Sequence, residues 1–208
     1  MKKLLGTATV LAAILATSSV SAATLFYDSF NRTNSNNPGN GWTQLEDDNN
    51  DVGIFDNALR LRDALPGNPD AAAASKTIDA TGYTNIQVEF RWKGFSSVER
   101  SDDFYLSWAE SPAPAMSNEG AWNEVFNGNT SGGTWLTNLI SISPGADNSI
   151  FNLMFWSDVS HGNEGYKVDW VRVTGDAITP VPLPAALPLL AGGIGLLGFA
   201  GWRRRKTG

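Results

Sequence analysis

The chain has 208 residues, with 15 Lys and Arg against 21 Asp and Glu, a single histidine and no cysteine. A thiolate nucleophile, a Cys-ligated zinc site and a His-rich metal site are therefore excluded, and stability has to come from packing. Every acid lies between residues 28 and 176, whereas six of the 15 basic residues sit at the two ends, Lys2, Lys3 and 203–206. The body is thus strongly acidic, which disfavours nucleic acid and anionic membrane as partners.

The first segment, 1–22, has Lys2 and Lys3, an apolar stretch from Leu4 to Ala16, and small residues at Val20 and Ala22. That order is a secretory signal peptide, read by the Sec machinery and cut by signal peptidase to leave Ala23 first. Residues 23–179 form one domain's worth of chain. They carry almost no 3.6-residue periodicity, but many short segments rich in aromatic and β-branched residues between Gly, Asn, Asp and Pro. The pattern predicts an all-β antiparallel β-sandwich of ten strands near 24–30, 41–45, 51–55, 58–62, 73–78, 84–92, 103–109, 135–142, 149–156 and 166–173.

Two segments indicate which side chains are buried. Ile86, Val88, Phe90 and Trp92 alternate with Gln87, Glu89 and Arg91, so the first set faces the core and the second faces water. In the last strand, strict alternation places Val168, Trp170 and Arg172 on one face and Asp169, Val171 and Val173 on the other. A carboxylate beside two valines demands compensation, which singles out Asp169.

Oxygen ligands for a structural calcium are available in two places: the run Glu46-Asp47-Asp48-Asn49-Asn50-Asp51, and Asp28 with Glu164 and Asp169 if the first and last strands pair. The first run fails EF-hand spacing because Val52 stands where the loop glycine belongs. No cofactor is required. Of the seven tryptophans in the body, Trp122 and Trp135 flank loop sequence and are the expected stacking residues for a sugar ring. His161 lies in Asp158-Val159-Ser160-His161-Gly162, an exposed turn with no nucleophile elbow.

Residues 180–208 close the chain with Val181, Pro182, Leu183, Pro184 and Ala185, an uncharged apolar run over about 183–202, and Arg203, Arg204, Arg205 and Lys206. Twenty helical residues at about 1.5 Å each span a bilayer core, so a transmembrane helix with its C-terminus in the cytoplasm is expected. The prolines keep the entrance extended and the glycines at 192, 193, 195, 198 and 201 weaken the helix.

The Pro motif, the glycine-rich apolar helix and the basic tail, in that order at the extreme C-terminus, resemble the PEP-CTERM family of bacterial sorting domains in its VPLPA-CTERM variant. The resemblance implies an exosortase, a membrane cysteine protease or transpeptidase, that processes the tail near the motif. It also implies a protein held transiently in the inner membrane and then passed to the cell surface or outside. The opening Leu25-Phe26-Tyr27-Asp28-Ser29-Phe30-Asn31 and the closing Glu164-Gly165-Tyr166-Lys167-Val168-Asp169-Trp170-Val171-Arg172-Val173 resemble the jelly-roll domains of concanavalin-like and carbohydrate-binding-module type. That resemblance implies first and last strands lying side by side. The expectation is an exported, exosortase-processed surface or extracellular-matrix protein, linked to exopolysaccharide and biofilm, with a non-catalytic β-sandwich body. A carbohydrate-binding-module-like lectin for extracellular polysaccharide is the alternative. A glycoside hydrolase ranks third, because no Glu-x-Asp-x-x-Glu run occurs.

Overall fold

A computed structural model describes residues 22–46, 49–62 and 72–178. The expected signal peptide up to residue 21, Asp47 and Asp48, residues 63–71 and the expected sorting tail lie outside the described residues. Among the described residues eleven strands form two antiparallel sheets: β1 (Ala23–Asp28), β2 (Thr43–Leu45), β3 (Val52–Phe55), β4 (Ala58–Leu61), β5 (Ala73–Asp79), β6 (Tyr83–Gly94), β7 (Asp103–Glu110), β8 (Asn123–Gly128), β9 (Leu136–Ser141), β10 (Ile150–Asp158) and β11 (Tyr166–Ala177). One sheet has the order β3-β4-β11-β6-β9, with β1 also paired to β11. The other runs β2-β5-β10-β7-β8.

The sandwich is held by aromatic side chains pointing inward from both sheets. Ile86, Val88, Phe90 and Trp92 are all buried, as the alternation of β6 requires. Trp92 stacks on Phe104 of β7 at 5.0 Å between ring centroids, and Phe104 stacks in turn on Phe155 of β10 at 5.6 Å. Offset rings of this kind add about 0.5–1.5 kcal/mol per pair beyond the area they bury. The Tyr166 ring packs against both Trp92 and Phe104, and its hydroxyl donates to the Asp102 carbonyl at 3.0 Å. Burial pushes that phenol far above the ordinary tyrosine range.

The first and last strands lie side by side: β1 pairs β11 from Ala23 opposite Gly175 to Asp28 opposite Val171. The same edge of β11 receives β4 over Tyr166, Lys167 and Val168. Between these two stretches the ladder to β6 slips, with Val168 opposite Trp92 and Trp170 opposite Arg91, so Asp169 is an extra residue in a β-bulge. Strict alternation fails here. Tyr166 and Val168 point inward before the bulge, Val171 and Val173 after it. Asp169 therefore does not share the valines' buried face; it lies outside, where Arg91 Nη1 donates to its Oδ2 at 2.9 Å.

Strand β8 is absent from the ten expected, because Asn-Glu-Val-Phe-Asn-Gly reads as turn sequence. Phe126 supplies the reason that it forms: its ring packs edge-on to Phe90 at 5.2 Å and Trp92 at 5.5 Å, and that burial outweighs the weak strand preference of Asn and Gly.

Candidate functional site

The outer face of the six-stranded sheet is built by register. Tyr27 of β1 lies opposite Arg172 of β11, Arg172 opposite Glu89 of β6, and Glu89 opposite Leu139 of β9. Directly opposed side chains in antiparallel strands stand within about 5 Å at Cβ, so these four form one continuous row across the sheet. Arg172 Nη2 donates to Glu89 Oε2. Trp170, turned outward beyond the bulge, stands one outward position along β11 from Arg172. Tyr27, Glu89, Trp170 and Arg172 line a cleft of about 310 Å³. Tyr27 is 55% exposed and Leu139 58%, large apolar side chains left on a surface that the core does not need.

Further along β6 the outward residues are Arg91 and Lys93. At about 3.3 Å per residue, Lys93 lies ~13 Å from Glu89 on the same strand. Trp135, just before β9, bridges them: Arg91 Cζ is 5.2 Å and Lys93 Nζ 4.5 Å from its ring centroid. A guanidinium and an ammonium on one indole hold the ring against the sheet surface, and Trp135 is half-buried there. Of the two expected stacking residues, Trp135 is thus on the outer surface, with part of its ring already occupied by cations.

A second cavity, of about 400 Å³, opens beside Lys93 and is lined also by Gly94, Ser96, Ser97, Gly132, Gly133, Asn163 and Lys167. Gly94 lets the 129–134 loop approach, since a Cβ there would collide with the Thr130 carbonyl. Gly132 and Gly133 adopt φ of +91° and +75°, which glycine alone takes without strain, and their missing side chains keep the cavity open. Lys167 donates to Asp56 Oδ2 at 2.7 Å, and this bond together with the lysine's charge holds the Asp56 carboxyl below its usual range.

The outer face of the five-stranded sheet is covered. Trp122, expected to be an exposed stacking platform, is only 6% exposed. It packs with Met154, Ala73 and Ala109, and its Nε1 donates to the Ala115 carbonyl at 3.2 Å, pinning the 111–121 loop over the sheet. The correction has a simple cause: Met154 and the two alanines leave an apolar outer patch, and the indole is the cover that removes it from water. Beyond this patch Tyr105 and Trp156 stack face to face at 3.8 Å, each shielding one face of the other. Burial first, then the charges of Asp103, Asp158 and Glu124, push the Tyr105 phenol up to about 12.

Asp28, Glu164 and Asp169, the acids expected to hold calcium between the paired strands, are not brought together as a cluster, and Asp47 and Asp48 of the other run lie outside the described residues. Both oxygens of Asp28 are engaged by Arg32, the Phe30 N–H, Asn40 Nδ2 and Trp42 Nε1, all at 3.1 Å or less. Burial raises this carboxyl and those donors outweigh it, so its pKa is lowered. A guanidinium already stands where a cation would bind. Glu164 accepts from the backbone N–H of Ser160 and His161, closing the turn before β11, and Asp169 belongs to Arg91. Glu46 accepts from Gln44 and from the Val52 N–H. Among the described residues no three His, Cys, Asp or Glu side chains cluster as a metal site. His161 is exposed in a turn beside Ser160 and Glu164. Val181 to Ala185 and the basic tail at 203–206 fall outside the described residues, and among those described no helix is long and apolar enough to cross a membrane.

No protein-family model and no curated protein matches the chain. Among solved structures it is similar to a family 29 carbohydrate binding module, at 13% identity and a TM-score of 0.46 over 76% of this chain and 91% of that one. It is similar also to the module CBM29_1 from Piromyces equi (10% identity, TM-score 0.45, 76% and 92% covered) and to BiXyn10A CBM1 (10%, 0.49, 74% and 99%). At such identity no residue's role carries over.

Tyr27, Glu89, Trp170, Arg172, Lys93 and Lys167 were not singled out by sequence. The outward parity of Glu89 and its neighbours was visible in β6, but the outward turn of Trp170 beside an exposed Tyr27 depends on the bulge and on strand pairing.

Proposed function

We propose that the domain is a non-catalytic polysaccharide-binding module whose ligand lies on the outer face of the six-stranded sheet. The single observation that carries this is the cleft between Tyr27 and Trp170, floored by the Arg172–Glu89 pair. A pyranose ring has apolar C–H faces and a rim of hydroxyls. Tyrosine and tryptophan match the faces, while a guanidinium that only donates and a carboxylate that accepts match the rim. Glycoside hydrolysis needs two carboxyl groups placed on either side of the scissile bond, one of them to deliver a proton. Glu89 lines the cleft and Asp169 precedes Trp170 in the chain, and each is engaged by an arginine, an arrangement suited to accepting hydroxyl protons in hydrogen bonds.

Affinity electrophoresis against a panel of soluble polysaccharides tests the reading. Retardation by at least one of them, reduced about tenfold or more in Trp170→Ala with the fold intact by near-ultraviolet circular dichroism, is the expected result. Equal retardation of wild type and variant would refute it.

The module is carried on an exported protein. The Lys2/Lys3 leader and the Val-Pro-Leu-Pro-Ala motif with its apolar run and arginine cluster support Sec export, signal peptidase cleavage, transient retention in the inner membrane and exosortase processing within 181–185. The mature protein then serves as a cell-surface or matrix component that holds exopolysaccharide. Mass spectrometry of the mature C-terminus is decisive: a chain ending near Ala185 is expected, and one that retains Trp202 and the arginines would make the tail an ordinary anchor.

A further inference from the structure

The cavity beside Lys93 identifies the charge class of the ligand. Nine basic residues fall in the body of this acidic chain, and five of them, Arg60, Arg91, Lys93, Lys167 and Arg172, share the outer face of one sheet. Three of the five are neutralised in place: Arg91 by Asp169, Arg172 by Glu89 and Lys167 by Asp56. Lys93 has no salt-bridge partner among the described residues. Its ammonium rests at 4.5 Å on the Trp135 ring, an interaction that positions the charge without cancelling it. The cavity at its side has an open glycine wall at Gly132 and Gly133 and polar groups from Ser96 and Asn163. It lies along β6 from the Tyr27–Trp170 cleft, so one extended chain on this face passes both.

We infer that this cavity holds the carboxylate of a uronate unit within an acidic polysaccharide, another sugar of which, further along the same chain, occupies the Tyr27–Trp170 cleft. The inference rests on the polysaccharide-binding reading and narrows it to anionic chains. The balance of charge sets the class: Lys93 and Lys167 both line the cavity, and Asp56, bound to Lys167, is the one carboxylate paired there, so the pair of lysines keeps a net positive charge to meet a carboxylate. A nucleic acid would ask for a track of unpaired cations against its phosphates, and this face has three of its cations already bound to acids.

The test uses the full chain in affinity gels containing polygalacturonate, a neutral β-glucan or a chondroitin sulfate. Polygalacturonate is expected to retard it most, and raising the salt to about 0.5 M, where the Debye length falls below about 5 Å, should weaken that retardation severalfold. Lys93→Met, which keeps the stem against Trp135, should lose about five- to tenfold in polygalacturonate affinity. Lys93→Arg should restore it, and an unchanged melting temperature in both variants excludes a folding defect. Equal binding of polygalacturonate by wild type and Lys93→Met overturns the inference, as does a preference for chondroitin sulfate. Binding of the neutral glucan alone, abolished by Trp170→Ala, overturns the inference and leaves the polysaccharide reading standing. Retardation by none of the three in any form overturns the inference.

Discussion

The two outer faces of the sandwich carry similar side chains and use them in opposite ways. On the five-stranded sheet an indole, Trp122, is spent on closing a loop over Met154, and a second, Trp156, is stacked on Tyr105. On the six-stranded sheet Tyr27 and Leu139 are left exposed, Trp170 lines a cleft, and the charges between them are paired across strands. The first face is an interior made from a surface; the second is a surface kept open. An aromatic side chain near a loop is thus no guide to binding until it is known what it covers.

The contrast predicts that substitutions on the two faces separate stability from recognition. Trp122→Ala removes a buried indole and should lower the unfolding free energy by about 3 to 5 kcal/mol, measured by chemical denaturation, with polysaccharide affinity per folded molecule unchanged. Loss of binding in the folded fraction would place the ligand on the wrong sheet. Trp170→Ala should do the reverse: stability within about 1 kcal/mol of wild type and binding reduced about tenfold. Arg91→Ala cuts a partly exposed ion pair worth about 0.2–1 kcal/mol, so its melting temperature should scarcely move, while the freed Trp135 ring alters tryptophan fluorescence. A large stability loss there would show that the open face is structural after all.

Protonation sharpens the same comparison more gently. Asp28 has its pKa lowered in the fold, so it adds stability above the unfolded carboxyl value near 3.8, and that contribution is lost as pH falls through the folded value. Acid unfolding should therefore begin below about pH 4, with Asp28→Asn shallower in its pH dependence. Given the donors already on Asp28, any shift in melting temperature on adding calcium should be the same in Asp28→Asn as in wild type, measured as the difference with and without the ion in both proteins. Tyr105, raised to about 12, contributes stability that is present below about pH 10 and lost as pH rises toward that value. An ultraviolet-monitored alkaline titration should show two late phenols, Tyr105 near 12 and the buried Tyr166 later still, and Asp103→Asn should bring the Tyr105 step earlier.

Much of the fold was legible in the residues. Alternation in Ile86 to Trp92 assigned the core face of β6 correctly, and the jelly-roll resemblance anticipated β1 beside β11. The surface was less legible, for two physical reasons. A period of two assumes an unbroken ladder, and the extra residue at Asp169 reverses parity halfway along β11, so the argument that put this acid among valines fails at one bond. Loop composition, meanwhile, records that a segment is irregular and says nothing of what lies beneath it; Trp122 has Met154 below, and Trp135 has two cations. Strand β8 was missed because its preference for extended chain is supplied by Phe126 packing into a core that no local window contains.

The pairing of Ala23 with Gly175 brings the domain's two ends out together, beside Tyr83 and Ala177. The Lys93 cavity sits at the far tip of the same long strands, near Gly94 and Tyr166, roughly 30 Å along β11 from Gly175. The domain is therefore polar in the geometric sense, with a handle at one pole and its ammonium at the other. A fusion partner or reporter attached at either end would crowd the same pole, and the opposite one would remain free to meet a chain arriving from solution.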